Sequence, residues 1–131
     1  MSELSAANRK PPGTPTGQNG RMARPVALPP PPYYAVIFTS VRNEQPDDGY
    51  AEELDRMYAL LDEQPGFLGA DSARSDGVGI TVSYWESEEH IAAWKGRAEH
   101  RAAQREGRAR WYDAYEMRVA RVERAYDYSR A

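Results

Sequence analysis

Residues 84–100 read YWESEEHIAAWKGRAEH, and the reading of this stretch decides the fold. It begins as the end of a strand: VGITVSYW (78–85) places Val78, Ile80, Val82 and Tyr84 on one face of a period-2 pattern. Ser87 stands where a helix needs an N-cap, and Glu88 and Glu89 fill the first turn, where the helix dipole favours anions. Ile91 and Trp94 are three residues apart, so they share the helix face that packs back on the strand. Gly96 is expected to bend or break this helix, with a second helical piece from about 97 to 106 closed by Gly107.

Working outward, YYAVIFTSVR (33–42) is rich in β-branched and aromatic residues and predicts a strand. Residues 43–49 are turn chemistry, with Asp47 or Asp48 as the N-cap of the next element. In YAEELDRMYALLDEQ, the residues Tyr50, Leu54, Met57, Tyr58 and Leu61 form one helical stripe, which Pro65-Gly66 stops. FLGADSAR (67–74) is a second strand, and Ser75-Asp76-Gly77 is the hairpin turn into VGITVSYW. WYDAYEMRVARVERAY (111–126) is a long final strand. The order β-α-β-β-α-β predicts an α+β, ferredoxin-like fold, with a four-stranded antiparallel sheet and both helices on one face.

The first of these strands carries a further consequence. Tyr33, Ala35, Ile37 and Val41 point one way, and Tyr34, Val36 and Phe38 point the other. Two helices cover only one face, so the apolar second face needs another cover, and a second copy of the same sheet is the simplest one. A homodimer is expected.

The ends and totals bound the function. The chain has 131 residues, a length that suits one domain, and a net charge of −3. Residues 1–32 hold four basic residues against one acidic, with eight of the ten prolines, and are expected to be a disordered Pro/Gly-rich basic tail ending in a Pro29–Pro32 spacer. The remaining 99 residues carry −6, which excludes a dominant basic patch for nucleic acid. The folded domain is expected over 33–127, followed by a short tail at 128–131. No cysteine is present, which removes thiolate catalysis and disulfides, and no apolar run approaches the roughly 20 residues that span a bilayer. A cytoplasmic protein without membrane or nucleic-acid partners is the expectation. HExxH, Gly-rich phosphate loops and the G-x-S-x-G elbow are all missing, so no metal site is predicted.

Three stretches carry a family likeness: QPGFLG (64–69), YWESEEHIAAWKGRAEHRAAQ (84–104) and RWYDAYEMRVARVERAY (110–126). Through them the chain resembles the antibiotic biosynthesis monooxygenase superfamily of dimeric α+β barrel proteins, over about residues 33–127. The resemblance implies cofactor-free oxidation of an aromatic or quinol-like small molecule, with no cofactor, in a pocket between helix and sheet. It also leaves two alternatives open, haem binding and degradation, and a non-catalytic small-molecule-binding or stress-related barrel.

Within that frame Trp94 either packs on the sheet or walls the pocket, and His100 is either half-exposed or the base or polar anchor. The two are six residues apart, about 120° around an unbroken helix. Substrate contacts are expected from Phe38, Tyr58, Tyr84, Trp111, Tyr115 and Arg118, with Tyr34 and Tyr112 as further aromatics. His90, beside two Glu in the first helical turn, is expected to be solvated. The haem-degrading members use an Asn on the first strand and a His ten residues after the Trp. Here the first strand has no Asn and that second place is Gln104.

Overall fold

The computed structural model describes residues 5–9, 24–43, 49–99 and 111–130. Its elements are β1 (Ser5–Arg9), β2 (Tyr33–Arg42), α1 (Tyr50–Asp62), β3 (Phe67–Ser75), β4 (Val78–Trp85), α2 (Glu88–Glu99) and β5 (Tyr112–Val122). From β2 onward this is the expected β-α-β-β-α-β order, and every strand pair is antiparallel. The sheet runs β1-β3-β4-β2-β5, the ferredoxin-like arrangement with one strand added at an edge.

That added strand is formed by residues that the sequence reading placed in the tail. Ser5–Arg9 pair with β3 from Ser5↔Arg74 to Arg9↔Ala70. An edge strand presents free backbone N–H and C=O groups to any extended segment, so composition alone does not reveal the pairing. Val26, before Pro29–Pro32, also packs against the sheet. Val26 is 7% exposed, and its N–H donates to Asp71 Oδ1 at 2.9 Å. The outer face of the sheet is therefore covered at the Tyr33, Asp71 and Tyr84 end by its own chain, while Val41, Val78 and Ile80 at the other end stay exposed.

Local chemistry accounts for the turns. Asp76 and Gly77 both have positive φ (55° and 82°), the two-residue turn whose twist suits a hairpin. At α1 the N-cap is Gly49, with no side-chain cap bond; the expected caps Asp47 and Asp48 lie outside the described residues. Ser87 caps α2 as expected, its Oγ accepting the His90 N–H at 3.2 Å. Gly96 does not break α2, which runs continuously to Glu99. A lone helical glycine costs only about 1 kcal/mol, and the packed first turns of α2 carry it through. The expected continuation to 106 lies outside the described residues. β5 is shorter than expected, because its ladder with β2 ends at Tyr33↔Val122, where β2 itself begins.

The core lies between the helices and the inner face of the sheet. Trp85 is 0% exposed at its centre, with Val36, Tyr58, Leu61, Phe67 and Ala70 buried around it. Tyr34, Leu54, Ile91 and Trp94 pack at its margin.

Candidate functional site

Strand alternation decides which side chains reach the space under the helices. On β2 the inward residues are Val36, Phe38 and Ser40; across the ladder they face Ser83, Thr81 and Gly79 of β4, and Val119, Met117 and Tyr115 of β5. α1 and α2 roof only part of this surface, and a cavity of about 380 Å³ remains under their edge. That volume is within the range of small-molecule sites. Its wall is apolar and aromatic for most of its extent, with Glu53, Arg74 and Lys95 as its charged groups.

Six of the residues expected at the site meet there, Tyr112 among them, while Tyr34 packs at the core margin. Trp94 projects from α2 and stacks on Trp85, with ring centroids 6.4 Å apart and planes at 29°. It therefore packs at the margin of the core and lines the cavity. Phe38 lies against Tyr112 and Tyr115, Trp111 against Tyr50, and Tyr58 reaches Ser72 Oγ at 3.5 Å. Phe38, Tyr58, Trp111 and Tyr115 all line the cavity.

Two predicted contacts fall on the opposite face. Tyr84 pairs with Ala35 on the outer side, edge-on to Tyr33, because Trp85 takes the inward position next to it. Arg118 pairs with Ile37, also outward, and its guanidinium is held by Glu116. A single step of strand parity separates both from the pocket. His100 lies outside the described residues, as does Gln104.

His90 is not free in solvent. Its Nδ1 is 2.8 Å from Ser87 Oγ, and its ring rests on Gly66, so it is bound into the β4–α2 corner away from the cavity. The described lining residues thus offer no imidazole to an iron. No group of three metal-ligating side chains occurs among the described residues, and none of the described helices is long and apolar enough to cross a membrane.

The sequence reading missed Glu53, Arg74 and Tyr50. Glu53 is 4% exposed, and its Oε1 takes a hydrogen bond from Arg56 Nη1 at 2.7 Å. It sits three residues after Tyr50 and four before Met57, so the helical stripe already placed it on the inward side. Arg74 is on the same strand parity as Ala70 and Ser72, a signal equally present in the sequence. Tyr112 enters by irregularity. The β2–β5 register shifts between Val41 and Arg42, which pairs Arg42 with Tyr112 where strict alternation would pair it with Asp113. The bulge thus puts a phenol at the pocket's end where a carboxylate would otherwise point.

Burial pushes the Tyr112 hydroxyl well above the usual tyrosine range, helped by its hydrogen bond to Tyr50 Oη at 3.3 Å and opposed by Arg74 and Arg42. Tyr84 is also raised, by burial first and then by the Asp71 carboxylate that it meets. Both folded values lie above the unfolded one of 10.0, so the folded state binds more protons in the alkaline range. Their contribution is complete below pH 10.0 and is lost as pH rises above it. Urea midpoints measured from pH 8 to 11 should fall above about pH 10, and less steeply in Tyr112→Phe. Equal slopes would show that Tyr112 does not carry the effect.

Two comparisons bear on this pocket. The family model described as "Antibiotic biosynthesis monooxygenase" matches residues 32–106, a span from the start of β2 past the end of α2. A protein of Bacillus subtilis (strain 168), described as "Uncharacterized protein YqjZ", is 55% identical over 97 residues, covering 73% of this chain and 84% of its own. The bacterial relative's description names no substrate.

Proposed function

The chain belongs to the antibiotic biosynthesis monooxygenase family, and from that premise we propose that it oxidises an aromatic or quinol-like small molecule with molecular oxygen, without a cofactor. The observation that carries this reading is the aromatic-walled cavity between helices and sheet. Substrates of this kind supply their own electrons once deprotonated. For an anthrone-type carbon, one oxygen atom enters as the ketone and the other leaves as water with that carbon's two hydrogens. No outside reductant is required. The protein's tasks are to hold the ring, exclude water and accept a proton.

Trp94, Phe38 and Tyr115 hold the ring in this scheme, and Met117 and Val119 extend the apolar floor. Glu53 is the carboxylate that the cavity presents, and His100 is the imidazole that its spacing from Trp94 singles out; each is a candidate proton acceptor. The active form is a homodimer. Val41, Val78 and Ile80 (39%, 45% and 47% exposed) on the outer face are the apolar groups that a second copy would cover. A clean monomer by light scattering at micromolar concentration would contradict this part.

Oxygen uptake by the purified full chain with an anthrone or a naphthoquinol tests the activity. Consumption above the uncatalysed rate is expected, with a fall of about tenfold or more in Trp94→Ala. Loss in Glu53→Gln or in His100→Ala would identify the proton acceptor. Wild-type protein that leaves both substrates at their uncatalysed rates would sink the oxygenase reading. A Soret shift on haem titration that His100→Ala abolishes would replace it with the haem alternative.

A further inference from the structure

We propose that the ligand of this cavity is an aromatic acid, with its carboxylate seated on Arg74 at the hairpin end and its ring along the aromatic wall. The inference rests on the pocket assignment above and adds the substrate's charge, which that assignment leaves open.

Arg74 is held in place by two hydrogen bonds and a glycine seat. Its Nη1 donates to the Gly77 carbonyl and its Nη2 to Ser40 Oγ, both at 2.8 Å. Ser40 is only 1% exposed, so this second acceptor is fixed in the sheet. The guanidinium lies directly over Gly79: a Cβ there would sit 2.3 Å from Nη2 and 2.5 Å from Cζ. The missing side chain at Gly79 is what makes room for it. Long arginines at a surface do not need such a seat.

The charge balance supplies the second step. Both acceptors are neutral, and among the described residues no carboxylate pairs with Arg74. A guanidinium has five N–H donors, and the two hydrogen bonds leave the others for a further acceptor. Glu53, the pocket's own carboxylate, is engaged by Arg56. The surroundings reinforce the sign. Arg42 Cζ is 3.7 Å from the Tyr50 ring centroid and Arg74 Cζ is 6.0 Å from the same centroid, so two cations flank one ring at this end. A half-buried positive end joined to an apolar aromatic wall is complementary to a planar ring with an oxyanion pair, which the guanidinium fork binds in a bidentate manner.

Calorimetric titration with 1-hydroxy-2-naphthoate and with 1-naphthol, which shares the ring system but is uncharged at neutral pH, tests this directly. The wild-type full chain should bind the acid about tenfold to a hundredfold more tightly than the naphthol. That preference should shrink as salt rises. Arg74→Met should lose it while retaining the naphthol affinity, and Arg74→Lys should keep a reduced part of it because the charge remains without the fork. Equal affinities of the wild type for the two probes would overturn the acid inference and leave the pocket assignment standing. Naphthoate binding undiminished in Arg74→Met would do the same. Failure of both probes to bind the wild type would overturn the acid inference and the pocket assignment together. The wild-type comparison does not depend on any variant folding.

Discussion

Trp85→Ala should remove about 3–5 kcal/mol of stability, a large part of the total that a small domain has. Trp85 is fully enclosed, edge-on to Phe67 at 5.4 Å and stacked beneath Trp94, and its Nε1 donates to Ser83 Oγ at 3.0 Å. Truncation leaves a cavity bounded by β3, β4 and α2, and these elements cannot close on it without breaking the strand ladder. It also strips the support from under Trp94, so ligand binding should weaken in whatever fraction remains folded. Urea unfolding measures the first effect. A loss below about 1 kcal/mol would mean that the core is not organised around this ring.

Gly66→Ala should be the second most damaging single change described here, through two separable causes. Gly66 has φ +83°, a left-handed conformation that costs a non-glycine residue about 1–2 kcal/mol. A Cβ there would also lie 2.2 Å from His90 Cγ and 2.7 Å from His90 Cβ. Because the nearest atoms include His90 Cβ, rotation of the ring does not relieve the overlap, and the first turn of α2 must move. Overpacking of this kind adds about 1–3 kcal/mol. The movement would strain the Ser87 cap and the Glu86 N–H bond to the Gly66 carbonyl at 2.8 Å. The double variant Gly66→Ala/His90→Ala removes the overlap with the imidazole ring and keeps the φ strain and the 2.7 Å contact with Cβ. Recovery of part of the loss is expected; no recovery would show that the ring overlap adds nothing to it.

Both changes act in the corner where β4 turns into α2, which is also the region most legible in the sequence. YWESEEHIAAW announces a strand, a serine cap and an Ile–Trp stripe through local chemistry, and each is found where its pattern puts it. The two-residue turn at Asp76-Gly77 and the α1 stripe were legible for the same reason: their signals lie within one turn or one alternation of the chain. The identity of the inward residues on β2 followed from period-2 parity, and Phe38 is inward accordingly.

The candidate site was less legible because it is assembled across strands. Tyr84 and Arg118 are plausible aromatic and cationic partners by type, but their parity sends them to the outer face, and type alone does not report parity across five strands. Tyr112 reaches the cavity only because the ladder slips at Arg42. Arg74 looked like the polar end of a strand, and its seat becomes visible only when Ser40, Gly77 and Gly79 from other positions close around it.

The sequence by itself determined the element order from residue 33 onward and the layer arrangement, because hydrophobic periodicity, caps and turns are properties of neighbouring residues, and its motifs carried the family resemblance. The tertiary structure decided which side chains share a cavity, how the first residues of the chain extend the sheet, and where an arginine is seated on two neutral acceptors. Those outcomes depend on register, on bulges and on the pairing of distant strands, and none of the three is encoded within a single local stretch.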